Sequence, residues 1–172
     1  NDVDGGYGGG ILNWSADSHL IVSGSTFVGN YVAAGQGGGI LNIWAGSVLA
    51  TASTFTGNLA SGGSGGGVHG GGESVTVIGS TLTGNTGGNS GGVVTPISLP
   101  VTIVASLLAG NDADCIGNVV DAGYNIAGDS SCGFTTSTSV GSSAGLADTL
   151  NSLGDNGGPT RTIAPQPSSP PV

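Results

Sequence analysis

Apolar residues recur two apart along this chain, in short segments that repeat. Leu20 and Val22, Val48 and Ala50, Val75 and Val77, and Val101 and Ile103 form one such series. Ile21, Leu49, Thr76 and Thr102 lie between them, and the small residues Gly24, Ala52, Gly79 and Ala105 follow two positions on. Alternation of period two among β-branched residues, closed by small ones, predicts strands. A second word, Ser-Thr-Phe/Leu-x-Gly-Asn, runs from Ser25 to Asn30, Ser53 to Asn58 and Ser80 to Asn85, with a variant from Ser106 to Asn111. A third is Gly-Gly-Gly-apolar, at Gly8–Ile11, Gly37–Ile40 and Gly65–Val68, with a reduced copy at Gly91–Val93. From Asn30 the asparagines step by 28, 27 and 26 residues.

A repeat of this length with three strand signals and no helix signal predicts one coil of a parallel β-helix. The expected fold is therefore all-β, a right-handed parallel β-helix of about five coils spanning 1–134. An irregular cap and a Pro/Ser-rich extended arm occupy 135–172. Coils stack at about 4.8 Å, so equal columns become ladders. Asn30, Asn58, Asn85 and Asn111 predict an asparagine ladder at a corner, with amides bonding along the stack. Phe27, Phe55, Leu82 and Leu108 predict an apolar ladder beside it.

Composition narrows the function. Glycine contributes 37 of 172 residues, Lys and Arg together 1, Asp and Glu 10, and the formal net charge is −9. Phosphate binding rests on basic residues, so nucleic acid is excluded as a partner. Anionic membrane surfaces are excluded on the same ground, and no apolar run reaches the ~18 residues of a membrane span. Charges are also costly in columns, because stacking brings like charges together. Neutral Gly, Ser, Thr, Val and Asn suit a stacked solenoid.

Cys115 lies four positions beyond Asn111, and Cys132 three beyond Asp129. On stacked coils these are neighbours within disulfide reach, and a bridge there points to an oxidising, extracellular setting. The alternative is two free buried thiols. The Gly-Gly-x-Ile and Phe-x-x-Asn repeats resemble the polymorphic outer-membrane protein class. The likeness extends to secreted bacterial right-handed β-helix proteins whose C-terminal part is called a choice-of-anchor domain. Ala113-Asp114-Cys115, Gly123 to Asp129, Cys132-Gly133-Phe134 and Leu153 to Thr160 carry it further. The resemblance implies a β-helix on the cell surface or secreted, of adhesive or structural character; the lack of a signal peptide pattern at Asn1 is a departure from that class.

Candidate chemistry is sparse. Many β-helices act on polysaccharides, but a base of lyase type is represented only by Arg161 in the tail, so the expectation is no enzyme and no catalytic residue. Asp112 and Asp114 are the best acidic pair, read as turn aspartates with Ca²⁺ as the alternative and no other cofactor expected. His19 and His69 fall in different columns and read as surface histidines. Trp14 and Trp44 nearly align, and either pack into loops or form an exposed pair able to contact sugar rings. Asn13-Trp14-Ser15 matches a glycosylation sequon. Thr54-x-Thr56 and Thr81-x-Thr83, with Thr26 above, would form a small outward threonine array of the kind that suits ice.

The ends suggest a further role. Asn1 precedes Gly8 by seven residues, as Asn30 precedes Gly37. The chain thus opens on a corner asparagine, and the missing layer comes either from upstream coils or from another copy. The expected function is a head-to-tail self-associating extracellular fibre or adhesive layer, with Asn1, Val3 and Tyr7 at one end and Pro165, Pro167 and Pro170 reaching onto the neighbour. A carbohydrate-binding or carbohydrate-active β-helix is the alternative, and an ice-binding protein the third.

Overall fold

A computed structural model describes residues 1–88, 90–96 and 98–167. The chain coils through strands in a fixed sequence. β1 (Asp2–Val3), β2 (Ile11–Trp14), β3 (His19–Ser23) and β4 (Thr26–Val28) lead into β5 (Tyr31–Val32), β6 (Ile40–Ile43), β7 (Ser47–Thr51) and β8 (Thr54–Thr56). Then come β9 (Leu59–Ala60), β10 (Val68–Gly71), β11 (Ser74–Ile78) and β12 (Thr81–Thr83), and β13 (Thr86–Gly87), β14 (Val93–Val94), β15 (Pro100–Val104) and β16 (Leu107–Ala109). β17 (Cys115–Ile116), β18 (Asn118–Asp121) and β19 (Ile126–Ala127) complete the stack.

All of these strands pair in parallel, each with its equivalent in the next coil. They form four sheets: A (β1-β5-β9-β13), B (β2-β6-β10-β14-β17), C (β3-β7-β11-β15-β18) and D (β4-β8-β12-β16-β19). The fold is a parallel β-solenoid of about four turns, slightly fewer than the five expected from the repeats. Asp112 explains the shortfall in sheet A. Where a fifth strand would pair with β13, the Asp112 carboxylate accepts the Gly87 N–H at 2.9 Å, and the chain passes straight to β17. The register matches the columns: Leu20, Val48, Val75, Val101 pair in sequence, as do Phe27, Phe55, Leu82, Leu108.

Side chains of the inward columns fill a narrow core. Ile40, Val68 and Val93 from sheet B, Val75 and Val101 from C, and Phe55, Leu82 and Leu108 from D are fully or almost fully buried. Phe27 stacks on Phe55 with ring centroids 4.7 Å apart and planes 7° from parallel. Burying a side chain such as Phe55 stabilises by about 2–3 kcal/mol. The glycine runs follow from the same stacking. A Cβ on Gly10 would stand 2.5 Å from the Gly39 carbonyl oxygen, and one on Gly38 would stand 2.6 Å from that of Gly66. Only bare backbone fits between adjacent coils there.

Corners are sealed by polar ladders. The amide nitrogens of Asn30, Asn58 and Asn85 donate to the side-chain oxygens of Asn58, Asn85 and Asn111 at 2.7, 2.8 and 3.0 Å. A serine ladder runs parallel to it: the backbone N–H groups of Ser25, Ser53 and Ser80 donate to the hydroxyls of Ser53, Ser80 and Ser106. Asn125 takes the next place, accepting the Ser106 N–H at 3.0 Å.

Two inward columns end in groups that hold the C-terminal cap. The sheet B column Ile11–Ile40–Val68–Val93 ends in Cys115, disulfide-bonded to Cys132 with Cα atoms 4.7 Å apart. The sheet C column Val22–Ala50–Val77–Ile103 ends in Asp121. Its carboxylate accepts from the N–H groups of Gly123, Thr135 and Thr136, from the hydroxyls of Thr136 and Ser139, and from the Asn125 amide. Burial raises its pKa, but the hydrogen bonds from Thr136, Ser139, Asn125 and Gly123 outweigh burial and hold the carboxyl well below the usual carboxylate range. Val140 then pairs with Ile126, so sheet D continues into the cap. A single 3-10 turn (Leu146–Thr149) leads into a hairpin in which Gly154 and Thr162 exchange backbone bonds at 2.9 Å and Leu150 faces Pro165.

Candidate functional site

Trp14 ends β2. With Ile11 and Asn13 facing inward, alternation turns Leu12 and Trp14 outward. The equivalent of Trp14 in the next coil is Ile43, so Trp44 lies one residue further, in the turn before β7. Trp44 and Ala45 have φ of 62° and 60°, a left-handed pair that swings the indole out of the sheet. This turn is held from inside. The Asn13 amide donates to Asn42 Oδ1 at 2.7 Å, and the Asn42 amide donates to the Gly46 carbonyl at 2.7 Å. A Cβ on Gly46 would stand 2.8 Å from the Asn13 amide nitrogen, so the turn has no slack there.

The result is a line of aromatic rings. Trp14 and Trp44 have centroids 6.0 Å apart, and Tyr7, from the preceding corner loop, stands 5.8 Å from Trp14. The planes are tilted by 50° and 46° along the line. Tyr7 and Trp14 are each 50% exposed and Trp44 63%. Of the two readings of the tryptophan pair, the exposed one holds. Trp14 and Trp44 are also the only tryptophans in the sequence. In the strands that follow the two tryptophan turns, His19 Nδ1 of β3 lies 2.6 Å from Ser47 Oγ of β7. Asp17 and Glu73 sit on the loops flanking the Trp44 turn, and the Glu73 N–H donates to the Gly46 carbonyl. Arg161 is on another side of the solenoid: its guanidinium donates to Leu153 O, and its carbonyl accepts from Thr26 of sheet D.

The acidic candidates serve the fold. Asp114 is buried. One of its oxygens accepts from the Asn111 amide and the other from the N–H groups of Gly128 and Asp129. Burial pushes the Asp114 carboxyl up, the Asn111 hydrogen bond opposes this, and the Asp129 charge adds to the rise. Asp112 is committed to sheet A, so the pair does not converge on a common point. Among the described residues no group of three His, Cys, Asp or Glu side chains is placed to hold a metal ion.

Other expectations meet a mixed outcome. His19 is exposed, but His69 is buried, and desolvation lowers its pKa against a backbone hydrogen bond with Ser64 that raises it. The reading of His69 as a surface residue is corrected: it is only 8% exposed, and the Gly65 corner lies so close that a Cβ on Gly65 would stand 2.8 Å from the His69 Cβ. The sequon asparagine, Asn13, has its amide committed to Asn42 and to Ser47 O. Sheet D does not present a free threonine array, because the C-terminal segment bonds Thr26 and Thr54 is only 4% exposed. Pro165 pairs within its own chain, and the neighbouring Gln166 N–H donates to Thr149 O. Pro167 ends the described segment, and Pro170 lies outside the described residues. At the other end, Val3 pairs with Val32, and the Asn1 amino group donates to Asn30 Oδ1 at 3.5 Å.

Fold and surface together define a disulfide-linked parallel β-solenoid with an exposed aromatic line across its first coils. Comparison with family models, with curated proteins and with solved structures found no match.

Proposed function

We propose that this protein is an extracellular, non-enzymatic β-solenoid that binds glycans through Tyr7, Trp14 and Trp44. The observation that carries the reading is the exposure of three large rings in contiguous contact, with the Trp14 and Trp44 backbone held by the inter-coil Asn13–Asn42 bond. Soluble proteins rarely leave contiguous apolar rings uncovered without a partner for them. A pyranose ring has an apolar C–H face that stacks on the electron-rich face of an indole or phenol, while its hydroxyls reach polar neighbours. Preorganisation by the Asn13–Asn42 pair lowers the ordering cost of binding. The disulfide and the resemblance to secreted polymorphic outer-membrane-type β-helices support an extracellular or cell-surface location. The absence of any membrane-spanning helix among the described residues is compatible with it. Glycan-array binding of the intact chain, lost in Trp14→Ala and Trp44→Ala variants that keep the far-UV spectrum, tests the proposal.

Head-to-tail stacking of copies is a second reading. Each coil joins the next by parallel, in-register pairing, a geometry that a second copy can continue. The Pro-rich arm does not contribute as far as residue 166, because its residues bond within the chain. Negative-stain microscopy at high concentration distinguishes fibres from single particles.

A further inference from the structure

We infer that the aromatic line selects an uncharged, soluble glycan chain and discriminates against both polyanionic and crystalline polysaccharides; the inference rests on the glycan-binding reading and specifies its ligand class. Charge is the first ground. Asp17 and Glu73 flank the Trp44 turn, the whole chain carries −9, and its one guanidinium is engaged near sheet D. A sulfated or uronic-acid polymer gains no ion pair at the rings and meets like charge beside them.

Ring geometry is the second ground. Centroids 5.8 and 6.0 Å apart put the rings in direct tilted contact, so they offer one continuous, uneven apolar surface. Successive planes tilted by 50° and 46° cannot lie together on a flat crystal face. They suit a single chain whose sugars rotate relative to one another. Trp14 touches both other rings, so the ring faces are spent partly on one another and not on enclosing a small cation. His19 and Ser47, which follow the two tryptophan turns in β3 and β7, supply hydrogen-bonding groups for hydroxyls.

Because both tryptophans belong to the line, intrinsic tryptophan fluorescence reports on it alone. The experiment titrates the full chain with three classes of probe at physiological salt: neutral β-linked hexasaccharides of glucose and of N-acetylglucosamine, heparin and polygalacturonate, and suspended crystalline cellulose. Choline is included as a cation control. The expected result is a saturable emission change with a neutral hexasaccharide, weakened at least about tenfold by Trp44→Ala, and no saturable change with the other probes. Equal or tighter Trp44-dependent binding of heparin or polygalacturonate, or retention on crystalline cellulose alone, overturns this inference and leaves glycan binding standing. Response to choline alone, or to no probe, overturns both.

Discussion

Replacing Asn58 by alanine removes the central rung of the asparagine ladder. Asn58 is fully buried, and its amide is saturated: Oδ1 accepts the Asn30 N–H at 3.1 Å and the Asn30 amide at 2.7 Å, while Nδ2 donates to Asn85 Oδ1 at 2.8 Å and Phe27 O at 3.1 Å. Alanine deletes all four bonds. Two donors on Asn30 are left facing a dry interior, at about 1–3 kcal/mol each, and the cavity adds to this. The expected loss is about 3–6 kcal/mol. Asn30→Ala is the internal control, because Asn58 Oδ1 still accepts the backbone N–H of residue 30. That variant should cost about 1–2 kcal/mol. Equilibrium urea unfolding followed by far-UV circular dichroism measures both. With a slope of about 2 kcal/mol per molar urea, the middles of these ranges put the two midpoints about 1.5 M apart. A loss under about 1 kcal/mol for Asn58→Ala, or equal losses for the two variants, refutes the ladder as a load on stability.

Phe55→Ala empties the middle of the sheet D column and should cost about 3–5 kcal/mol, more than Phe27→Ala at the less buried end, by the same urea assay. Reduction of Cys115–Cys132, or Cys132→Ser, opens a 17-residue separation and should lower stability by about 3 kcal/mol, read as a shift in the urea midpoint with and without reductant. Asp121 sets an acid limit on the cap. Its folded pKa is depressed, so its contribution is full above the unfolded carboxyl value of about 4 and is lost as pH falls below it. Amide exchange of residues 135–140 should therefore accelerate as pH drops through that range, after correction for the intrinsic rate. Asp121→Asn should be less stable at neutral pH and lose this acid dependence.

Much of the solenoid was legible because its columns are long. Four equivalents of Val48 and of Phe55 at near-constant spacing specify parallel, in-register pairing, and every pair in those columns forms. Sheet A escaped notice since its strands are two residues long, too short to show a period. Asp121 was hidden for a different reason: an acid at the end of an apolar column reads as the end of the repeat, yet it closes the core by gathering donors from the cap. The serine column was visible as an alignment mark, while its role depends on hydroxyls accepting backbone N–H groups from the coil before. Asn13 and Asn42 occupy one column, and this shared position was the available signal for the inner support of the Trp44 turn. The exposure of the two indoles was not readable, because Trp44 is displaced by one residue from the register of Trp14 and its orientation follows from two consecutive left-handed residues.

The most direct test of the aromatic line as a binding surface is a nitrogen-resolved NMR titration of the intact protein with a neutral β-linked hexasaccharide. Two indole N–H signals arise from Trp14 and Trp44. Both should move together and saturate, while the side-chain amides of Asn58 and Asn85 in the buried ladder stay in place. Fixed indole signals, with shifts confined to sheet D or to the Asp114 corner, would contradict the account.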